Sequence, residues 1–123
     1  MTRDFVEKWL DTMRSAWINA DMKTIKSLFS KTAEYYETPF EKPATNIAEV
    51  LELWEGVENQ IIKRLEFIIL AVDGNSAVVQ WIFECDGASF DGIYLIKFND
   101  DQECIFFKSW EMERPLTFRK DMK

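Results

Sequence analysis

The chain has 123 residues, enough for one domain and short for two. Its 22 acidic residues against 15 basic ones give a net charge of -7, which disfavours a nucleic-acid backbone or an anionic membrane surface as partner. It has no histidine, which excludes Ser–His–Asp and Cys–His nucleophile systems, histidine-bearing zinc sites and histidine bases, so any acid–base work falls to Asp, Glu, Tyr, Lys or Cys.

From Thr2 to about Asn19, Phe5, Trp9, Met13 and Trp17 recur at spacing four, with Leu10 beside them, and predict an amphipathic helix. The N-terminus shows no basic stretch leading into an apolar run, as a secretory signal would, and no segment is long and apolar enough to span a bilayer. Asp21 is placed to cap a short second helix built on Met22, Ile25, Leu28 and Phe29, which Ser30-Lys31-Thr32 is expected to break. Ala33 to Glu37 reads as a short strand, with Tyr35 and Tyr36 favouring extended backbone. Pro39 and Pro43 hold an irregular loop. Asn46 then caps a third helix, with Glu49 at the capping-box position and Val50, Leu53, Trp54 and Val57 as its buried face.

From about Ile62 the pattern is strand-like. Strands are expected at Leu65–Val72, Ala77–Cys85, Phe90–Phe98 and Cys104–Met112, turned at Asp73-Gly74, Asp86-Gly87 and Asn99-Asp100-Asp101-Gln102. Pro115 opens a polar, mobile tail. Helices first and strands after predict one α+β domain over residues 1–123, with its core at 4–113, a tail at 114–123, and three N-terminal helices on a curved antiparallel sheet. Cys85 and Cys104 have neither metal nor redox spacing and read as reduced thiols of a cytoplasmic protein. The acidic residues are not spaced as an EF-hand loop, Asp100-Asp101 reads as a solvated turn, and neither a metal nor a cofactor is called for.

This order of elements, with Trp17 to Asp21 (W-x-x-A-D), Leu28-Phe29, Tyr35-Tyr36-Glu37-Thr38-Pro39-Phe40, Trp54, Trp81, Phe90-Asp91-Gly92, Phe98-Asn99-Asp100 and Trp110-Glu111, resembles the nuclear transport factor 2-like superfamily, in its branch of SnoaL-like (polyketide-cyclase-like) domains. The likeness runs from about residue 4 to 113. It implies a cone with an internal pocket and, commonly in relatives, a dimer through the outer sheet face.

Strand alternation puts Ala77, Val79, Trp81, Phe83 and Cys85 on the apolar inner face, with Val78, Gln80, Ile82 and Glu84 outside. The resemblance implies that Tyr94, Ile96 and Phe98 also face inward, and then Ile105, Phe107, Ser109 and Glu111. Cys104, Phe106, Lys108, Trp110 and Met112 would lie outside. An outer face holding Ile82, Ile93, Leu95, Phe106, Trp110 and Met112 is a large apolar patch that a second copy would cover, unless the tail or a loop does so.

A mostly apolar cavity with a few polar groups suits a small-molecule ligand. Glu111, Glu37 and Tyr94 are the candidate catalytic residues. Trp17, Tyr35, Trp54, Trp81, Phe83, Phe107 and Ser109 are the candidate ligand contacts. A carboxylate facing an apolar cone has a raised pKa and can serve as acid or base near neutral pH. Glu111 could instead pair with Arg64, Lys63 or Arg114, or sit at the rim in water. Tyr35, Tyr36 and the tryptophans could equally be plain core.

In the ketosteroid-isomerase branch the base directly precedes a proline at the end of the first strand. Here Thr38 holds that place before Pro39 and Glu37 is one residue early, and since one residue flips the face, Glu37 and Thr38 cannot both point inward. That branch's oxyanion tyrosine maps to Met13 and its second donor to Tyr94, so the isomerase constellation is incomplete. Asp91-Gly92 reads as a strand-entry or bulge feature, and Cys85 as an inert thiol. Two functions fit these residues. One is a pocket protein for a small apolar or aromatic ligand, with isomerase-, cyclase- or lyase-type proton transfer. The other is a non-catalytic interaction module whose acidic exterior suits a basic partner. A cavity of several hundred Å³ favours the first, and a cone filled by Phe67, Phe83, Phe107 and the tryptophans favours the second.

Overall fold

The computed structural model describes residues 1–115. Helix α1 (Arg3–Ile18) buries Val6, Trp9, Leu10, Met13 and Ala16 along one stripe. Thr2 caps it, its side chain accepting from the Phe5 N–H at 3.1 Å. Ala20 takes a left-handed backbone (φ 52°) and turns the chain into α2 (Met22–Leu28), capped by Asp21.

The helix-to-strand junction differs from expectation. Phe29 is already extended, and β1 runs from Phe29 to Tyr36. Phe29 pairs with Cys104, far along the chain, so tertiary pairing draws Ser30, Lys31 and Thr32 into a strand where local propensity alone suggests a break. A register irregularity between Phe29 and Glu34 accommodates them. Helix α3 (Ile47–Leu53) starts in a capping box. Asn46 accepts from the Glu49 N–H at 2.9 Å, and the Glu49 carboxylate accepts from Thr45 N–H and the Asn46 amide. Its buried face is Val50 with Trp54, while Leu53, expected inside, is 40% exposed. A left-handed Gly56 then starts an unanticipated 3-10 turn (Val57–Asn59).

Strands β2 (Ile62–Asp73), β3 (Ser76–Cys85), β4 (Ala88–Phe98) and β5 (Cys104–Glu113) form a meander. The sheet order is β1-β5-β4-β3-β2. Three pairings are antiparallel as expected, but β1 runs parallel to β5, so the sheet is mixed. The Asp86-Gly87 turn has both residues at positive φ, the geometry that matches strand twist in a two-residue hairpin.

The inner face is built by alternation. Ala77, Val79, Trp81, Phe83 and Cys85 are buried, as are Tyr94, Ile96 and Phe98. In β5 the expected phase fails at its start. A register shift places Phe98 opposite Cys104 and Lys97 opposite Phe106. Cys104 is therefore fully buried and Ile105 exposed, the reverse of strict alternation. The cause lies in the preceding turn, where Asn99 accepts from the Glu103 N–H at 2.9 Å and Gln102 sits at φ 65°. Beyond the shift the phase recovers, and Phe107 and Ser109 point inward. Most of the tail expected at 114–123 lies outside the described residues.

Candidate functional site

Pairing registers align inner residues in rows across three strands. One row is Trp81–Gly92–Glu111, and the next is Val79–Tyr94–Ser109. Gly92 lies mid-strand in regular register rather than at a strand entry or bulge. A side chain there would collide with the Trp110 carbonyl and with Cε2 and Cζ2 of the Trp81 indole. The missing Cβ is what lets the indole lie flat across β4. Trp81 stacks on Tyr94 with centroids 5.4 Å apart, and Tyr94 meets Phe107 at 4.5 Å. Tyr35, opposite Phe107 in the parallel pairing, stacks on it at 4.8 Å. Tyr36 points outward to Phe106.

The helices supply the opposite wall. Trp17 comes from the last turn of α1 and Trp54 from the end of α3. They meet edge to face at 5.1 Å, and Trp17 also packs on Phe83 at 4.9 Å. The Trp17 indole N–H donates to the Gln60 side-chain oxygen at 2.8 Å, fixing the segment after the 3-10 turn against α1.

Together these groups enclose a well of about 150 Å³ that opens at one side. All ten residues singled out from the sequence line it: Glu37, Glu111 and Tyr94, and Trp17, Tyr35, Trp54, Trp81, Phe83, Phe107 and Ser109. Sequence reasoning missed Leu53, Val57 and Gln60, which complete the wall. The apolar spacing puts Leu53 and Val57 on a helical core face, and no pattern marks Gln60. The well is smaller than the several hundred Å³ of an open cone, because Phe83, Phe107 and the tryptophans occupy much of the space. About 150 Å³ holds a single benzene-sized ring. Met13 is fully buried in the core and is not a wall of the well.

Among the described residues Glu37 and Glu111 are the only charged groups on the wall, and both are in reach of solvent. Among the described residues neither forms an ion pair, and Arg64 is engaged instead with Glu66 at 2.7 Å and Glu84 at 3.5 Å. Partial burial, then the charges of Glu41 and Glu111, raise the Glu37 pKa. Partial burial, then Glu113, raises that of Glu111. Deep burial first, and the two carboxylates after it, push the Tyr94 phenol far up, so it keeps its proton and remains a donor. Tyr35 is likewise raised well above the usual phenol range by burial, and its hydroxyl lies beside the Trp54 indole.

The thiols are unsuited to nucleophilic work. Cys85 is pushed up to about 11 by burial and by its hydrogen bond to Asp86, and burial raises Cys104 as well. Among the described residues no cluster of His, Cys, Asp or Glu is arranged to hold a metal ion, and no helix is long and apolar enough to cross a membrane.

A wider groove of about 660 Å³ runs between α1 and β2, with Arg3, Glu7, Asp11, Arg14 and Glu66 on its sides. It is open to solvent and contains none of the candidate residues. Its arginines are spent on the free edge of β2: Arg14 donates to the Leu65 carbonyl at 2.7 Å and Arg3 to that of Ile69 at 3.3 Å.

The family model described as SnoaL-like domain matches residues 6–104. No curated protein matches the chain. Among solved structures, a steroid delta-isomerase from Pseudomonas aeruginosa is similar with TM-score 0.68 and 20% identity, over 92% of this chain and 82% of that one. A SnoaL-like protein of unknown function from Burkholderia thailandensis gives 0.70 and 16%, over 91% and 98%. An NTF2-like protein from Cytophaga hutchinsonii gives 0.64 and 14%, over 91% and 99%. At these identities the likeness to solved structures is one of fold.

Proposed function

The chain belongs to the SnoaL-like domain family, and from that premise we propose that it binds a small, largely apolar or aromatic molecule and moves a proton on it. The observation that carries this reading is the pairing of two carboxyls of raised pKa, Glu37 and Glu111, with a protonated Tyr94 in one aromatic well. Burial first, then the charges of Glu41 and Glu111, raise the Glu37 pKa, and burial and then Glu113 raise that of Glu111, so both carboxyls are suited to proton exchange. In this reading ionised Glu111 takes a proton from the carbon next to a ligand carbonyl. Tyr94 donates a hydrogen bond to the oxygen on which charge develops, and Glu37 returns a proton. Isomerisation, ring closure and elimination all use this exchange. By volume alone the well is nearer the filled cone of an interaction module than an open cavity, so the reading rests on the polar groups of the wall, and the ligand it fits is of single-ring size and not a fused steroid nucleus.

Acetophenone in heavy water tests this directly. Protein-catalysed exchange of its methyl protons is expected, and Glu111→Gln should slow it by about a hundredfold or more. Binding without exchange leaves a non-catalytic pocket protein. No binding at all favours the interaction module, for which the filled cone would speak.

We also propose a homodimer through the outer sheet face, where Trp110 is 40% and Met112 75% exposed beside Ile82, Ile93, Leu95 and Phe106. A cytoplasmic setting suits the two buried, unpaired thiols.

A further inference from the structure

The wall of the well carries charge of one sign. Seven of its thirteen residues are aromatic, two are acids and none is basic, so nothing on the wall answers Glu37 and Glu111. Among the described residues the charges that bear on them come from other carboxyls: Glu41 and Glu111 on Glu37, and Glu113 on Glu111. Nearby cations are used elsewhere. Arg64 holds Glu66 and Glu84, and Lys108, on the outer face, lies over the rings of Tyr36 and Trp110. A partly buried anion without a counter-ion is costly, and the missing cation is one that a ligand can bring. The aromatic rings add to this preference, because the face of each ring is electron-rich and attracts positive charge.

A second observation shows that the space is kept for a guest. Tyr94 and Ser109 sit opposite each other on β4 and β5, line the well, and are only 5% and 6% exposed. Neither hydroxyl makes a hydrogen bond among the described residues, yet neither is sealed off as the indole nitrogens of Trp54 and Trp81 are. Deep polar groups left open in this way await an occupant.

Resting on the pocket reading above, we propose that the ligand of the well is a cation: a primary amine carried on a single aromatic ring, with its ring among the tryptophans and its ammonium against Glu37 and Glu111. A well of about 150 Å³ takes the ring. Both carboxyls are also in reach of solvent, so the ammonium keeps part of its hydration and the cost of drying it falls. An ammonium one carbon away from a carbonyl also acidifies the carbon between them, the position from which Glu111 takes its proton. The charge therefore serves the chemistry as well as the binding.

Benzylamine and benzyl alcohol have nearly the same shape, and at neutral pH only the amine is charged. Binding of each to the full chain is measured by calorimetry at about 0.15 M salt, which screens long-range attraction to the net charge of -7. The wild-type protein is expected to bind benzylamine about tenfold or more tightly than benzyl alcohol, and a double Glu37→Gln, Glu111→Gln variant to bring the two within about twofold. A measurement on the wild-type protein guards against misfolding of the variant. Nuclear Overhauser contacts should run from the benzylamine ring to the indoles of Trp17 and Trp54. Benzyl alcohol bound as tightly as benzylamine, or a preference that the folded double variant retains, or bound benzylamine without contacts to those indoles, would overturn this inference and leave a pocket for neutral ligands. Binding of neither probe would overturn the pocket reading itself, and this inference with it.

Discussion

Replacing Gly92 with alanine adds one methyl group at the most confined point of the inner face. The new Cβ meets two obstacles, the Trp110 carbonyl of β5 and the Trp81 indole. The carbonyl belongs to a paired strand and can yield only if the β4–β5 ladder distorts. The indole can yield by rotating, but only toward the well that it lines. Overpacking a core costs about 1–3 kcal/mol, and with a backbone atom as one of the partners the upper end is expected. For a chain of this size each kcal/mol lowers the melting midpoint by about 3–5 °C, so a fall of about 10 °C is predicted. Urea unfolding gives the free energy, and near-ultraviolet circular dichroism reports the Trp81–Tyr94 stack. The displaced indole should also fill the well and weaken acetophenone binding more than the stability loss alone explains. A Gly92→Ala protein with wild-type stability, an unchanged aromatic spectrum and intact binding would refute the close-approach argument.

The two wall carboxyls predict an unusual pH response. Folding raises the pKa of both, so each favours the folded state while protonated, and that contribution fades as pH rises from the unfolded value of about 4.3 through the raised folded value. Glu37→Gln and Glu111→Gln should therefore raise the thermal midpoint at neutral pH and leave it unchanged near about pH 4. Midpoints lowered at neutral pH would contradict the sign. Asn46→Ala removes the α3 cap and should cost about 1 kcal/mol in chemical denaturation, loosening the segment that presents Trp54. Phe106→Lys on the outer face should shift sedimentation from dimer to monomer with the well unaltered, and a wild-type monomer at all concentrations would end the dimer proposal.

The inner face was legible because burial on one side of a strand leaves a period-two record. Trp81, Phe83, Tyr94 and Phe107 could be placed from that record and the family likeness. The record lapses where a turn decides the phase. Nothing in the Cys104-Ile105 pair announces that Asn99 will close the preceding turn on its own side chain and exchange their faces. The start of β1 was hidden for a different reason, because its partner strand comes last in the chain. Gln60 was out of reach because its place depends on one hydrogen bond to a helix far away. The size of the well was equally hidden, since it follows from how the Trp81 ring settles over a glycine and not from which residues share a face.

The grip of Arg14 and Arg3 on β2 has a bearing on how the molecule stays dispersed. β2 ends the sheet, and a terminal strand invites foreign strands to zip onto it. Here the first helix stands guard with two guanidinium groups seated on the margin's own oxygens. A shortened product lacking α1 would thus lose its lid and its defence against self-templating at once, and fibrous aggregate, not an open-topped binder, is the outcome to expect from it.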